Sequence, residues 1–181
     1  QTAGTTPTTA DTDGDGVSDG TEVLDGTDPL DATSLFRSVE WTNQTNTSSD
    51  GLTQDPNYLG SALRKISGAS GTWNADATSL RKLTGDGRLS FRAAQNNKAV
   101  MIGFADLDIN SSFTTIDHAV YFTVSGGLII YENGVLKITV SGGVAAGQLV
   151  SIERNAGVIT YYRGEELVYT SATASNGTVL V

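Results

Sequence analysis

The sequence contains no cysteine among its 181 residues. Disulfides, thiolate metal sites and cysteine nucleophiles are therefore excluded. Histidine occurs once, at His118, so a zinc site built on several histidines is not expected. Runs of ~18 apolar residues are also missing, and no membrane-spanning helix is predicted. Without disulfides, the protein must be held together by its core, by bound ions or by assembly.

The N-terminal residues lack the basic segment and apolar run of a secretory signal peptide. A chain that begins at Gln1 is therefore expected to have been processed or cut from a longer protein. Residues 1–31 contain eight acids and no base, whereas residues 32–181 contain twelve acids and eleven bases. The net charge of −9 is thus concentrated in the first 31 residues. Because no basic stripe could neutralise phosphates, nucleic acid is not an expected partner.

Composition divides the chain into three segments. Residues 1–10, QTAGTTPTTA, form a tail with Thr at five of ten positions. Thr favours extended backbone, and Pro7 opposes a helix. Residues 11–31 form an acidic head, and residues 32–181 form the body.

Short runs rich in Val, Ile, Tyr and Phe alternate with turn residues throughout the body. In GRLSFRAA, Leu89 and Phe91 fall on one face and polar residues on the other, as in a half-buried strand. Asn133-Gly134, between LIIYE and VLKITV, is the best hairpin signal because both residues accept a positive φ. We therefore predict an all-β fold, an antiparallel β-sandwich, preceded by the extended tail and the head. The one helical candidate is a single turn after Ser18.

The head contains carboxylates at positions 1, 3, 5, 9 and 12 of DTDGDGVSDGTE, with Gly16 at position 6, where the chain must turn sharply. This is the spacing of an EF-hand-type calcium loop. Ca²⁺ prefers six to eight hard oxygens, and without a cation these carboxylates would repel one another. The predicted ligands are the backbone carbonyl of Val17 and the side chains of Asp11, Asp13, Asp15, Asp19 and Glu22.

What surrounds this loop differs from an EF-hand, which would place it between two long helices. Residues 11–32, DTDGDGVSDGTEVLDGTDPLDA, instead resemble one thrombospondin type 3 repeat of bacterial and archaeal surface proteins. The resemblance implies a calcium-ordered extracellular spacer without a hydrophobic core, and a second ion shared by Asp25, Asp28 and Asp31. Such repeats usually come in tandem, so a lone repeat is expected to need the body or a neighbouring chain to complete its packing.

A second, weaker match to the calcium-loop spacing lies in the body, in DLDINSSFTTID. It places Asp106, Asp108, Asn110 and Asp117 at positions 1, 3, 5 and 12, but Ser111 replaces the glycine of position 6. The favoured interpretation is a polar loop between two strands.

Catalysis is not expected. The single His118 is predicted to fill a half-buried strand position with Asp117 or Thr115 as its partner. The body, residues 32–181, contains no G-x-S-x-G nucleophile turn, and none of its strand motifs pairs two carboxylates as glycosidases require.

Three stretches of the body carry a second resemblance. SGTWNADATS, TIDHAVYFTVSGGLIIYENG and GQLVSIERNAGVITYYRGEELVYTS resemble a lectin-like β-sandwich of bacterial surface proteins. The last stretch also resembles the closing strands of concanavalin A-like and SPRY-like sandwiches. The resemblance covers roughly residues 36–171 and implies a jelly-roll used for binding or scaffolding, without assigning ligand residues.

Several aromatic residues are candidate sugar-stacking platforms. Trp41 is expected in the core with Leu35, Phe36 and Val39, whereas Trp73 lies near a turn and stays open between packing and binding. The other candidates are Tyr58, Tyr131, Tyr161 and Tyr162. Four N-x-S/T triplets, which matter only in an organism that glycosylates them, begin at Asn43, Asn46, Asn110 and Asn176.

Two functions remain open. The first is a non-enzymatic extracellular structural subunit that assembles head-to-tail with copies of itself into a filament, its tail adding as a strand to a neighbour's sandwich. The competing interpretation of the tail is that it folds back onto its own body. The alternative is a carbohydrate-binding or adhesive module of a larger cell-surface protein.

Overall fold

The computed structural model of the chain describes residues 10–14, 19–25, 28–31, 39–52, 61–69, 71–80, 82–92, 97–107, 110, 112–179 and 181. The chain divides into two compact units: residues 1–38 with 52–60, and residues 39–51 with 61–181. In chain order the elements are α1 (Asp19–Asp25), β1 (Trp41–Thr45), β2 (Thr47–Leu52), β3 (Ser61–Lys65), β4 (Asp76–Ser79), β5 (Gly87–Arg92), β6 (Val100–Phe104), a 3-10 turn (Phe113–Thr115), β7 (His118–Phe122), β8 (Leu128–Glu132), β9 (Val135–Val140), β10 (Leu149–Asn155), β11 (Val158–Arg163) and β12 (Glu166–Thr170).

Two four-stranded antiparallel sheets form the larger unit, which is consistent with the predicted β-sandwich. The chain enters one sheet as β5, crosses to the other, and runs through it as the meander β6-β7-β8-β9. It then returns to the first sheet as β10-β11-β12, with β10 paired to β5. Two shorter sheets pair β1 with β4 and β2 with β3.

The hairpin between β8 and β9 forms where the sequence predicts it. Asn133 has a φ of 50° and Gly134 a φ of 73°, which is the backbone that a tight hairpin turn requires. The pairing of Glu132 with Val135 and of Tyr131 with Leu136 follows from this turn. A register shift after Ile130 leaves Lys137 as an extra residue, a β-bulge on β9.

Apolar side chains from both four-stranded sheets share one core. Alternation predicts the buried face correctly at β5, where Leu89 is buried and Phe91 packs against the core from a half-buried position. Phe91 contacts Phe122 of the opposite sheet, with ring centroids 5.7 Å apart. The fully buried members of the core include Phe104, Val120, Leu128, Ile130, Val150, Ile152, Ile159, Tyr161 and Val179.

A buried arginine ties the C-terminal residues to the sandwich. Arg154 of β10 is 3% exposed, and its guanidinium donates to the carbonyls of Leu83, Gly85 and Gly177. Val179 and Leu83 also exchange two backbone hydrogen bonds. These carbonyls compensate for the burial of the charged group, which would otherwise destabilise the fold.

The structure differs from the sequence prediction at Tyr161 and Trp41. Tyr161 was a candidate sugar platform, but it is fully buried, so that assignment is wrong. Trp41 is half-buried and stands outside the core cluster, rather than within it as expected. The boundary at residue 32 stays a prediction because residues 32–38 lie outside the described part of the chain, as do Leu35, Phe36 and Tyr58.

Candidate calcium site and polar clusters

The described part of the acidic head closes on itself through Asp19. Its backbone N–H donates to the carbonyl of Ala10, with 2.9 Å between nitrogen and oxygen. Its carboxylate accepts hydrogen bonds of 2.7 Å from both the backbone N–H and the hydroxyl of Thr12. Positions 2 and 9 of the predicted loop therefore lie within hydrogen-bonding distance of each other.

Two further features of the head agree with a tight loop. The Oδ1 atom of Asp11 accepts a hydrogen bond of 2.8 Å from the N–H of Gly14, whose φ is 77°. Asp19 begins the seven-residue helix α1, which confirms the predicted helical turn after Ser18.

Glu22, the last predicted ligand, lies on α1 and is 1% exposed. Both of its carboxylate oxygens are buried, as is Oδ2 of Asp13. Burial of ionised carboxylates costs free energy unless opposite charge or hydrogen bonds compensate for it. The carboxylate oxygens of the head are hard donors of the kind that Ca²⁺ prefers, and residues 1–31 contain no Lys or Arg. In this role the carboxylates and one carbonyl would hold the ion, and the ion would neutralise their mutual repulsion.

The described residues do not by themselves complete a metal site. Among them, no three acidic or histidine side chains form a group that could hold an ion. Two of the predicted ligands, Asp15 and Val17, lie outside the described residues. The ligand set therefore remains a prediction from the spacing.

The predicted second ion also stays a prediction. Asp28 and Asp31 are exposed, and the carboxylate of Asp28 accepts a hydrogen bond of 3.0 Å from the N–H of Leu30. The side chain of Asp25 lies outside the described part of the chain.

The weaker match in the body behaves as a polar loop. Asp117 accepts a hydrogen bond of 2.7 Å from the N–H of Asp106, and Asn110 accepts one of 2.8 Å from the N–H of Ser112. Asp108 lies outside the described residues. The described side chains therefore stabilise the backbone of their own loop, as the favoured interpretation expects.

A buried polar cluster joins the two large sheets. The Tyr161 hydroxyl of β11 lies 3.3 Å from Oε1 of Glu132 and 3.3 Å from Nδ1 of His118. Nδ1 of His118 is 3.6 Å from the same Glu132 oxygen, and the Lys137 ammonium is 3.7 Å from the other one. The expectation that Asp117 or Thr115 would be the partner of His118 was therefore wrong.

This cluster changes the acidity of one member. Burial, followed by the charge of Glu132 and the hydrogen bond to it, raises the pKa of Tyr161 above its ordinary value of 10.0. The phenol is consequently held in its neutral form, in which it can donate to Glu132. The sequence did not indicate this cluster, because its residues lie on four strands and Tyr161 meets the others only after the sheets have stacked.

An aromatic cluster covers part of the outer face of the β6–β9 sheet. Tyr121 and Tyr131 project from the face opposite to the core, and Trp73 and Phe113 pack on them with ring centroids 5.7–6.3 Å apart. Ala119, on the same face, is 0% exposed. The Trp73 side chain keeps 48% of its surface exposed, so it both covers the sheet and faces solvent.

The loop that carries Trp73 is held by two polar side chains. Lys65 donates to the carbonyls of Ala69 and Thr72 and to the Asn74 side chain over 2.5–3.2 Å. Asn46 donates to the Asn74 carbonyl, with 2.6 Å between the two atoms. Because this amide is in use, a glycan on Asn46 would disrupt the loop. Asn43, Asn110 and Asn176 are exposed.

Comparison with known protein families finds a match in the acidic head. Residues 11–32 match the family described as Bacterial TSP3 repeat, the thrombospondin type 3 repeat. This match indicates a calcium-binding protein of extracellular type. No curated protein matches the chain. In the described part of the chain, no helix is long and apolar enough to cross a membrane.

Proposed function

We propose that the protein is a non-enzymatic structural subunit of an extracellular assembly. In this proposal the head is a calcium-ordered spacer, the sandwich is a rigid building block, and the tail adds as a strand to the sandwich of another copy. One observation supports this proposal most strongly. Residues with the complete calcium-loop spacing, which match a TSP3 family, lie directly between an uncharged Thr-rich segment and the sandwich.

The chemistry of the tail supports strand addition. Its residues contain no charge and little apolar surface, so the segment gains little by packing but retains its backbone hydrogen-bonding groups. A sheet edge offers matching groups, and each bond formed there contributes about 0.5–1.5 kcal/mol net. Pro7 cannot donate to such a ladder, so it belongs at an end of the added strand.

The geometry of such a contact determines the assembly. A segment that pairs with a different surface on the next copy makes a head-to-tail contact, which extends into a filament unless the rotation closes a ring. Calcium in the head would then restrict the angle and distance between successive sandwiches.

The burial and the contacts of the single histidine support a non-enzymatic role. His118 is 3% exposed and lies against Glu132 and Tyr161 in the interior. A general base must reach the substrate's proton within hydrogen-bonding distance, directly or through one water. A side chain enclosed between the sheets is unsuited to this.

The test is deletion of residues 1–10. Light scattering and electron microscopy at high protein concentration, with millimolar calcium, should show filaments of the full chain and monomers of the deletion variant. A full chain that stays monomeric, or a deletion variant that still polymerises, would contradict the proposal. Circular dichroism provides the control that the shortened protein keeps its sandwich.

A second candidate function, carbohydrate binding, is favoured by the half-exposed Trp73 on a loop held by Lys65 and Asn46. A rigid, exposed indole costs little entropy on binding and offers a flat apolar face. If this is the function, Trp73→Ala should lose retention on a polysaccharide array while remaining folded. The matched control is Leu167→Ala, because Leu167 is exposed to a similar degree, at 53%. Arrays without any signal for the wild type would remove this candidate.

A further inference from the structure

The two large sheets end in four edge strands. β5 and β12 flank one sheet, and β6 and β9 flank the other. An edge strand presents unpaired backbone N–H and C=O groups, and natural proteins protect such edges with charges, bulges or cover. The four edges can therefore be ranked by the protection that each one carries.

Three of the edges carry protection. β9 has the bulge at Lys137, and this lysine is itself a charged edge residue. β12 has a second bulge, from the register shift between Tyr161 and Tyr162, and begins with Glu166. β5 pairs regularly with β10 but contains Arg88 and Arg92 in a strand of six residues.

β6 carries neither a charge nor a bulge. Its sequence is VMIGF, and all five residues pair with β7 in an unbroken register from Val100↔Phe122 to Phe104↔His118. Val100 is 46% exposed, and Met101 and Ile102 are half-buried. Of the strands in the described part of the chain, β7 alone lies alongside β6.

We infer that β6 is the edge that receives residues 1–10 of a second copy of this chain. The inference rests on the proposed function, since it names the acceptor for the strand addition proposed above. Residues 2–6, TAGTT, match the five residues of β6 in length, and each of them can donate a backbone N–H. Pro7 ends the donating run at that length. Neither strand contains a charge that pairing would desolvate.

The first experiment places one lysine on each of three edges, at apolar positions of similar exposure. Val100→Lys alters β6, Leu136→Lys alters β9 and Leu167→Lys alters β12, where the native side chains are 46%, 49% and 53% exposed. The concentration needed for polymerisation, measured by sedimentation with calcium, should rise about tenfold for Val100→Lys, equivalent to about 1.4 kcal/mol per junction. The two control variants should polymerise as the wild type does.

The outcomes separate the acceptor from the proposed function. If Val100→Lys polymerises normally, or if only a control variant fails, the assignment to β6 is wrong while assembly through the tail survives. If deletion of residues 1–10 leaves polymerisation unchanged, both the assembly proposal and the acceptor fail.

A second experiment avoids the possibility that the lysine variants fail to fold. The chain has no cysteine, so a cysteine at each of residues 2–6 can be combined with Val100→Cys without background. Under mild oxidation, at least one pair should produce a ladder of disulfide-linked oligomers. The same scan combined with Leu136→Cys should not. Ladders in the second scan alone would overturn the assignment to β6.

Discussion

The head and the sandwich are stabilised by opposite kinds of chemistry. The described core of the sandwich is a continuous set of apolar side chains from two sheets, with Ile130, Ile152 and Ile159 fully buried. In the described part of the head, the buried residues are an acid, Glu22, and Pro29. The first region is stable because it excludes water, and the second needs compensating charge.

Because of this difference, the stability of each region should depend on a different variable. Burial of an isoleucine contributes about 1.5–3 kcal/mol whatever ions are present. A carboxylate cluster depends on the concentration of the cation that it binds. The stability of the sandwich should therefore respond to changes in packing, and that of the head to changes in calcium concentration. Each change should have little effect on the other region.

The largest expected effect is on the sandwich core. Ile152→Ala removes a fully buried side chain between β5 and β11 and should lower the free energy of unfolding by about 2–5 kcal/mol, because a cavity replaces packed atoms. Urea denaturation with and without calcium measures it. The control is Val158→Ala, 47% exposed on the adjacent strand, which should stay within about 0.5 kcal/mol of the wild type. Equal losses for both variants would mean that the sheets do not share a packed core.

The core could be predicted because its signal is local. Alternation at Leu89 and Phe91 and the Asn133-Gly134 turn are properties of neighbouring residues, and the structure confirms both. The partner of His118 could not be predicted. Glu132 and Tyr161 reach it only because β8 pairs with β7 and β11 stacks on them, which no short stretch of sequence encodes.

An intermediate effect is expected from the buried polar cluster. Tyr161→Phe removes the hydroxyl that donates to Glu132 and should cost about 1–3 kcal/mol at neutral pH. The folded-state pKa of Tyr161 lies above its unfolded value of 10.0. Its stabilising contribution is therefore complete below pH 10 and is lost as the pH rises above that value, by about 1.4 kcal/mol per pH unit. Urea titrations between pH 7 and about pH 11 measure this slope.

Comparison of the variant with its control shows whether the loss of stability above pH 10 comes from Tyr161. Tyr161→Phe should decline less steeply above pH 10 than the wild type, because the residue that must ionise is gone. Tyr162→Phe changes a half-exposed ring on the same strand and should follow the wild type at every pH. If the Tyr161 and Tyr162 variants have the same profiles, the alkaline loss arises elsewhere.

For the head, the sequence was informative about residue types and spacing. The family match at residues 11–32 supports that prediction, and the contacts of Asp19 with Ala10 and Thr12 show a closed turn. The number of bound ions could not be derived from the sequence. Each ion site depends on where several carboxylates lie, and the bound ion itself fixes those positions.

The smallest expected effect on the sandwich is that of calcium. The head should take up at least one ion with a dissociation constant of about 10⁻⁴–10⁻³ M, measurable by calorimetry. Asp13→Asn and Glu22→Gln should weaken this uptake, since each removes charge from a predicted ligand. Asp117→Asn is the control because its carboxylate accepts a backbone hydrogen bond in the body. Absence of uptake at millimolar calcium would contradict the assignment.

Chelation then tests whether the two regions are coupled. EDTA should increase hydrogen exchange and proteolysis within residues 11–31, because the carboxylates lose their counter-charge. The urea midpoint of the sandwich should not move. If the ion stabilised the sandwich directly, a tenfold excess of calcium over the dissociation constant would raise its unfolding free energy by about 1.4 kcal/mol. A shift of that size on adding EDTA would show that the head and the sandwich fold as one unit, and the spacer role would then have to be abandoned.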